Sequence, residues 1–167
     1  LSSLQHLPQG LVFLDASRNH LSSAVVGDQP KLATLLLSHN RLEDFGPDAA
    51  AGLPQLQALD LDYNRLFAMP TALTAAGGAG PSVASTLARL SLRGNAIADL
   101  GSLAAFSNLS TLDVSANRLA ELPPSIGAAV RLRTLRVQQN RLRALPGELF
   151  RLPHLLELQA AGNAIEA

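Results

Sequence analysis

From Leu56 to Leu66 the chain reads LQALDLDYNRL, and that spelling, LxxLxLxxNxL, returns throughout its 167 residues. The same skeleton stands at Leu32, Leu35, Leu37, Asn40 and Leu42, at Leu109, Leu112, Val114, Asn117 and Leu119, and at Leu132, Leu135, Val137, Asn140 and Leu142. Looser copies surround Asn19, Asn95 and Asn163, so seven asparagines mark seven copies. Successive asparagines are 21, 24, 31, 22, 23 and 23 residues apart. A period of this length leaves a narrow choice of folds. One copy is too short to bury its own leucines and must stack on its neighbours.

Alternating residues of a strand point to opposite faces, so each LxL core predicts one strand with its leucines inward and the x positions in solvent. Stacked copies then give seven parallel strands. The asparagine follows each strand, where the chain turns. Its side chain both donates and accepts, so it can satisfy turn backbone that would otherwise be buried without partners. The expected fold class is an α/β repeat: a right-handed solenoid with a parallel concave sheet and convex returns made of turns and short 3-10 pieces. A single domain covers residues 1–167, with residues 1–10 as the end of a preceding repeat, about seven repeats, and an insertion near residues 74–86. The step from Ile126 to Leu132 is six residues, whereas that from Leu73 to Leu87 is fourteen. The extra residues are glycine- and alanine-rich, and Gly77–Gly80 is expected to bulge from the convex side. Both ends read as cuts through a longer array, which makes neighbouring domains of the same chain expected partners.

Composition narrows the function classes. The formal net charge is zero, so no global field draws the chain to nucleic acid. With no cysteine there are neither disulfides nor thiolate metal sites, and a cytoplasmic, reducing setting is the expectation. No apolar run approaches the roughly 20 residues of a membrane span.

The seven motif copies resemble the leucine-rich-repeat family over essentially the whole chain. The returns LAELPPSI (119–126) and LRALPGEL (142–149) are similar to those of the Ras-pathway and cell-polarity scaffolds. The return through Leu100, Leu103 and Phe106 has no proline and is similar to that of phosphatase regulators and axonemal dynein light chains. The resemblance implies an intracellular, non-catalytic recognition module holding a protein partner. The alternative is a structural scaffold component of a large assembly, touching its neighbours through rim, convex side or flanks.

Counting outward from each LxL core identifies the exposed columns. Their large residues are the candidate partner-binding set: Phe13, Leu36, His39, Asp60, Asp62, Tyr63, Arg89, Arg93 and Arg136. Aromatic and arginine side chains are the usual anchors of protein interfaces. Strand spacing of about 4.8 Å also predicts lateral pairs, Asp62 with Arg93 and Asp113 with Arg136, which would leave those charges less to offer a partner. The residues after each asparagine, among them His20, Arg41, Arg65, Arg118 and Arg141, form a basic rim read as a solvated edge. Asn108 opens a formal glycosylation triplet, read as coincidence. Catalysis finds no support: Ser17, Ser38 and Ser115 occupy repeat positions without a nucleophile elbow, and no phosphate loop or dinucleotide fingerprint is present. A metal held by His39, Asp60 and Asp62 is conceivable, but nothing would fix its surroundings. No catalytic residue, metal or cofactor is therefore expected.

Overall fold

A computed structural model describes residue 4 and residues 7–74 and 82–166. Seven three-residue strands follow one another: β1 (Phe13–Asp15), β2 (Thr34–Leu36), β3 (Ala58–Asp60), β4 (Arg89–Ser91), β5 (Thr111–Asp113), β6 (Thr134–Arg136) and β7 (Glu157–Gln159). They form one parallel sheet in the order β1 to β7. The register is that of the motif. Leu14, Leu35, Leu59, Leu90, Leu112, Leu135 and Leu158 stand opposite one another along the sheet. A one-residue slip would turn every leucine to solvent, so burial of a single face fixes the pairing.

Behind the sheet, Leu37, Leu61, Leu92, Val114 and Val137 make a second buried column, and Leu32, Leu56, Leu87, Leu109 and Leu132 a third. Phe45 and Phe106 fill the wider convex side. Truncating one such leucine to alanine removes contacts on both neighbouring repeats, at a cost of ~2–5 kcal/mol.

The asparagine ladder is continuous. Leu21, Leu42, Leu66, Ile97, Leu119 and Leu142 each donate their backbone N–H to Oδ1 of the next repeat's asparagine, at 3.0–3.1 Å. The Nδ2 of that asparagine donates to a carbonyl of its own repeat and to one of the preceding repeat, as Asn117 does to Val114 O and Leu92 O. Losing one rung would strand buried backbone groups at about 1–3 kcal/mol each.

The residue before each asparagine takes a left-handed backbone: Arg18, His39, Tyr63, Gly94, Ala116, Gln139 and Gly162 all have φ between 52° and 69°. For a residue with a Cβ this costs about 1–2 kcal/mol. It persists because the same residue donates its N–H to the next repeat, as in His39 to Asp62 O and Tyr63 to Arg93 O. The reversal is what swings the asparagine inward.

Convex returns differ along the chain. Two carry single-turn α-helices: α1 (Pro47–Ala51) between β2 and β3, and α2 (Thr71–Thr74) and α3 (Val83–Thr86) between β3 and β4. The two LPxxL returns of the last repeats are 3-10 helices, η1 (Pro124–Ala128) and η2 (Gly147–Arg151), which stack on each other. The return without proline after Ile97 makes turns only. The insertion of about eight residues expected within 74–86 falls largely on residues 75–81, which lie outside the described residues. Val83 and Ala84 of α3 are buried, and Thr86 Oγ1 donates to Leu56 O at 2.6 Å, so these residues belong to the core. Gly77–Gly80, expected to bulge, lies outside the described residues.

Candidate functional site

The x positions of β2 to β6 lie on the concave side, and their sizes shape that surface. Ala58, Ser91 and Thr111 are small, while Leu36, Arg89 and Arg136 stand around them. The result is a hollow of about 220 Å³ with the carboxyl groups of Asp60, Asp62 and Asp113 on its wall. Leu36, Asp60, Asp62, Arg89 and Arg136 of the predicted set thus converge on one feature.

Three repeats carry an aspartate in the middle of the exposed column, and each folds back on its own strand end. Asp15 Oδ1 accepts from Ser17 N–H, Asp60 Oδ1 from Asp62 N–H, and Asp113 Oδ1 from Ser115 N–H, all at 2.8–2.9 Å. The backbone donor on Ser17, helped by its hydroxyl, holds the Asp15 carboxyl below the ordinary range. Asp62 behaves oppositely. Burial pushes its pKa up to about 6, and the neighbouring Asp60 and Asp113 carboxylates push the same way. Ser91 Oγ–H, at 2.6 Å, and Arg93 N–H, at 2.7 Å, donate to Asp62 Oδ1 and only partly offset this.

At the edge of the hollow, the left-handed column carries an aromatic stack. The rings of His39 and Tyr63 lie 4.6 Å apart and 14° from parallel. Gly94 supplies the seat on the far side. A Cβ there would fall 2.5 Å from Tyr63 Cδ1, so the position needs glycine for space as well as for its φ of +68°. The Arg93 guanidinium stands 5.8 Å from the Tyr63 ring centroid.

Both expected lateral pairs are corrected by this geometry. Arg93 gives Asp62 its backbone N–H, not its guanidinium, which is drawn over Tyr63. Arg136 pairs with Glu157 on β7 at 3.3 Å and not with Asp113, whose Oδ1 accepts from the Ser115 hydroxyl at 2.5 Å and from Ser115 N–H. The cause is a competition within reach: a hydroxyl or a backbone donor two residues away needs no long side chain to be ordered.

Leu36 is half-buried and forms part of the hollow's lining, not a protruding anchor. Phe13 is 56% exposed on β1 and does not line the hollow. Sequence reasoning favours large residues and so passes over Ala58, Ser91 and Thr111, although small residues in the middle of an exposed column are themselves the signal of a depression. Among the described residues, no three metal-donor side chains come together. Among them, too, no helix is long and apolar enough to cross a membrane. The Asn108 amide of the glycosylation triplet is engaged on both atoms, donating to Ser85 O and accepting from Arg131.

Two family models described as leucine-rich repeat match, one over residues 19–66 and the other over residues 108–129. Human leucine-rich repeats and immunoglobulin-like domains protein 3 is 33% identical over 117 residues, covering 69% of this chain and 10% of that protein. The chain therefore spans about a tenth of that relative's length. Among solved structures, YopM, a leucine-rich effector protein from Yersinia pestis, aligns with a TM-score of 0.72 at 26% identity, over 97% of this chain and 41% of its own. A leucine-rich repeat protein from Bacteroides eggerthii shares the fold, with a TM-score of 0.73 at 18% identity, over 94% of this chain and 31% of its own. Motif, sheet, asparagine ladder and relatives agree: the chain is a leucine-rich-repeat protein.

Proposed function

We propose that this chain is a non-catalytic recognition module that holds a protein partner on its concave face. Leucine-rich-repeat proteins commonly mediate protein–protein contacts, and the fold is typically non-catalytic. The observation that carries the reading is the clustering of a shaped hollow, three carboxyl groups and a rigid His39–Tyr63 stack on one exposed face, built on a sheet that cannot shift its register. A preorganised surface loses little entropy when a partner docks, which leaves more of the contact energy for affinity. The cytoplasmic setting expected from the sequence belongs to the same proposal, and fractionation of the source cells tests it.

The test is the full-length protein carrying Leu36→Asp with Tyr63→Ala. Loss of its co-purifying partners from a normally folded protein is the expected result. Retention of the whole set overturns the concave-face reading.

The runner-up, a scaffold component touching its neighbours elsewhere, has one observation in its favour. The most exposed large apolar side chains, Leu156 at 82%, Phe150 at 73% and Phe67 at 66%, are off the concave columns. Phe67→Ser in place of the concave substitutions separates the two readings, because only the scaffold reading expects it to release partners.

A further inference from the structure

We propose that the hollow over β3 to β5 seats a cationic side chain, a lysine or arginine, presented by a basic segment of the protein partner. This rests on the concave-face reading and specifies the chemistry of what binds there.

Shape comes first. At about 220 Å³ the hollow is smaller than the pockets that enclose drug-sized ligands, and it suits one long side chain. Its concave-side lining includes Leu36, Ala58 and Thr111, so the floor is largely apolar. An aliphatic stem would lie on that floor while its charged head stays among the polar groups, as lysine and arginine do on other apolar surfaces.

Charge decides which head fits. Asp60, Asp62 and Asp113 project here from β3, its following turn and β5, and they accept hydrogen bonds from backbone N–H groups and serine hydroxyls. Among the described residues, the one side-chain ion pair is Arg136 with Glu157. Of the other charged groups lining the hollow, Arg89 from β4 stands exposed without an ion pair and Arg136 from β6 is drawn to Glu157. Nearby, Arg93 after β4 is placed over Tyr63 and His39 after β2 is stacked on Tyr63. Three carboxyl groups thus share a half-enclosed space, and none of them is in an ion pair with a cationic side chain among the described residues. An anionic head would have to displace that field, whereas a cation is drawn into it. Asp62 reports the same imbalance, since part of what hinders its ionisation is repulsion from Asp60 and Asp113. An incoming cation relieves that repulsion, so its binding should take up less well as Asp62 is protonated.

The experiment titrates the full-length protein with fluorescein-labelled octa-arginine, and separately with octa-glutamate, by fluorescence anisotropy at near-physiological salt. Octa-arginine should bind and octa-glutamate should not. The combined variant Asp60→Asn, Asp62→Asn and Asp113→Asn keeps every Oδ1 acceptor, so its thermal melt should stay cooperative. Its octa-arginine affinity should fall about tenfold or more. Thr111→Arg, which tethers a cation beside the hollow with all three aspartates in place, should weaken the peptide similarly. Lowering the pH from about 7.5 to about 5 should weaken wild-type binding, and Asp62→Asn should flatten that dependence. Octa-arginine binding untouched by both the combined variant and Thr111→Arg, or tighter binding of octa-glutamate, overturns the proposal.

Co-purification separates its failure from that of the broader reading. If Leu36→Asp with Tyr63→Ala releases the partners but the aspartate variant keeps them all, the concave face binds without a cationic anchor. If octa-arginine binding is lost as expected while both variants keep their partners, the seat is real and the concave-face reading falls.

Discussion

The concave face over β3 to β5 and the same face over β6 and β7 are built from identical backbone and differ in how their charges are closed. Over β6 and β7, Glu157 accepts from Arg136, Thr134 and Gln159. That charge is spent within the molecule. Over β3 to β5, the carboxyl groups meet only neutral donors, and burial raises the pKa of Asp62 to about 6. A repeat fold can therefore carry an inert surface and a receptive one on the same ladder, and a handful of side chains decides which is which. A second contrast runs through the core. Leu112 is fully buried between two neighbours, while Leu158, in the same column, is 37% exposed.

The largest expected effect sharpens that core contrast. Leu112→Ala should destabilise by ~2–5 kcal/mol, and Leu158→Ala by about 1 kcal/mol, in chemical denaturation. Equal costs would mean that the two positions do not differ in packing.

Next in size is the aromatic seat. Gly94→Ala adds a left-handed penalty of about 1–2 kcal/mol and a collision with Tyr63, whereas Gly162→Ala meets only ordinary contacts at 3.5 Å and should carry the backbone penalty alone. Introducing Tyr63→Ala should erase the difference between the two. A double-mutant cycle measures it, and a cycle with no coupling would show that the ring does not rest on Gly94.

Asp62→Asn tests the receptive face. The folded pKa of about 6 lies above the ordinary 3.8, so ionised Asp62 destabilises the native state. That penalty is absent below the unfolded value, grows as pH rises between the two, and is complete above about 6. The variant should be more stable than wild type by about 1 kcal/mol near pH 7, a figure reduced for the group's partial exposure, and no more stable near pH 4. Denaturation at both pH values checks the sign.

The smallest effect belongs to the closed face. Arg136→Gln should change stability by less than about 0.5 kcal/mol, as half-exposed pairs usually do. A loss of several times that would mean the pair is not closed surface chemistry but a structural tie.

Much of the fold was legible because each repeat spells the same instructions. Leu37, Leu61 and Leu135 are fully buried, as their motif positions require, and the asparagines form the ladder their chemistry allows. The candidate residues were legible as columns, since a strand's alternation needs nothing beyond the sequence. Their partners were not. Lateral spacing offered Asp62 the Arg93 guanidinium and Asp113 that of Arg136, but in the folded molecule a ring captures the first and a glutamate on the next strand the second. Those choices depend on side-chain rotamers and on the depth of the surface, which no single repeat encodes.

Strand count, register, buried face and asparagine turns are legible in the repeat spelling, because leucines at fixed offsets in a period of 21 to 31 residues are buried by stacking one copy on the next. Only stacking the repeats lets Ala58, Ser91 and Thr111 open a hollow, seats Tyr63 on Gly94, and brings three aspartates from two repeats into one half-enclosed space. Burial and charge repulsion act through space, between residues tens of positions apart, and come into being only once the strands are stacked.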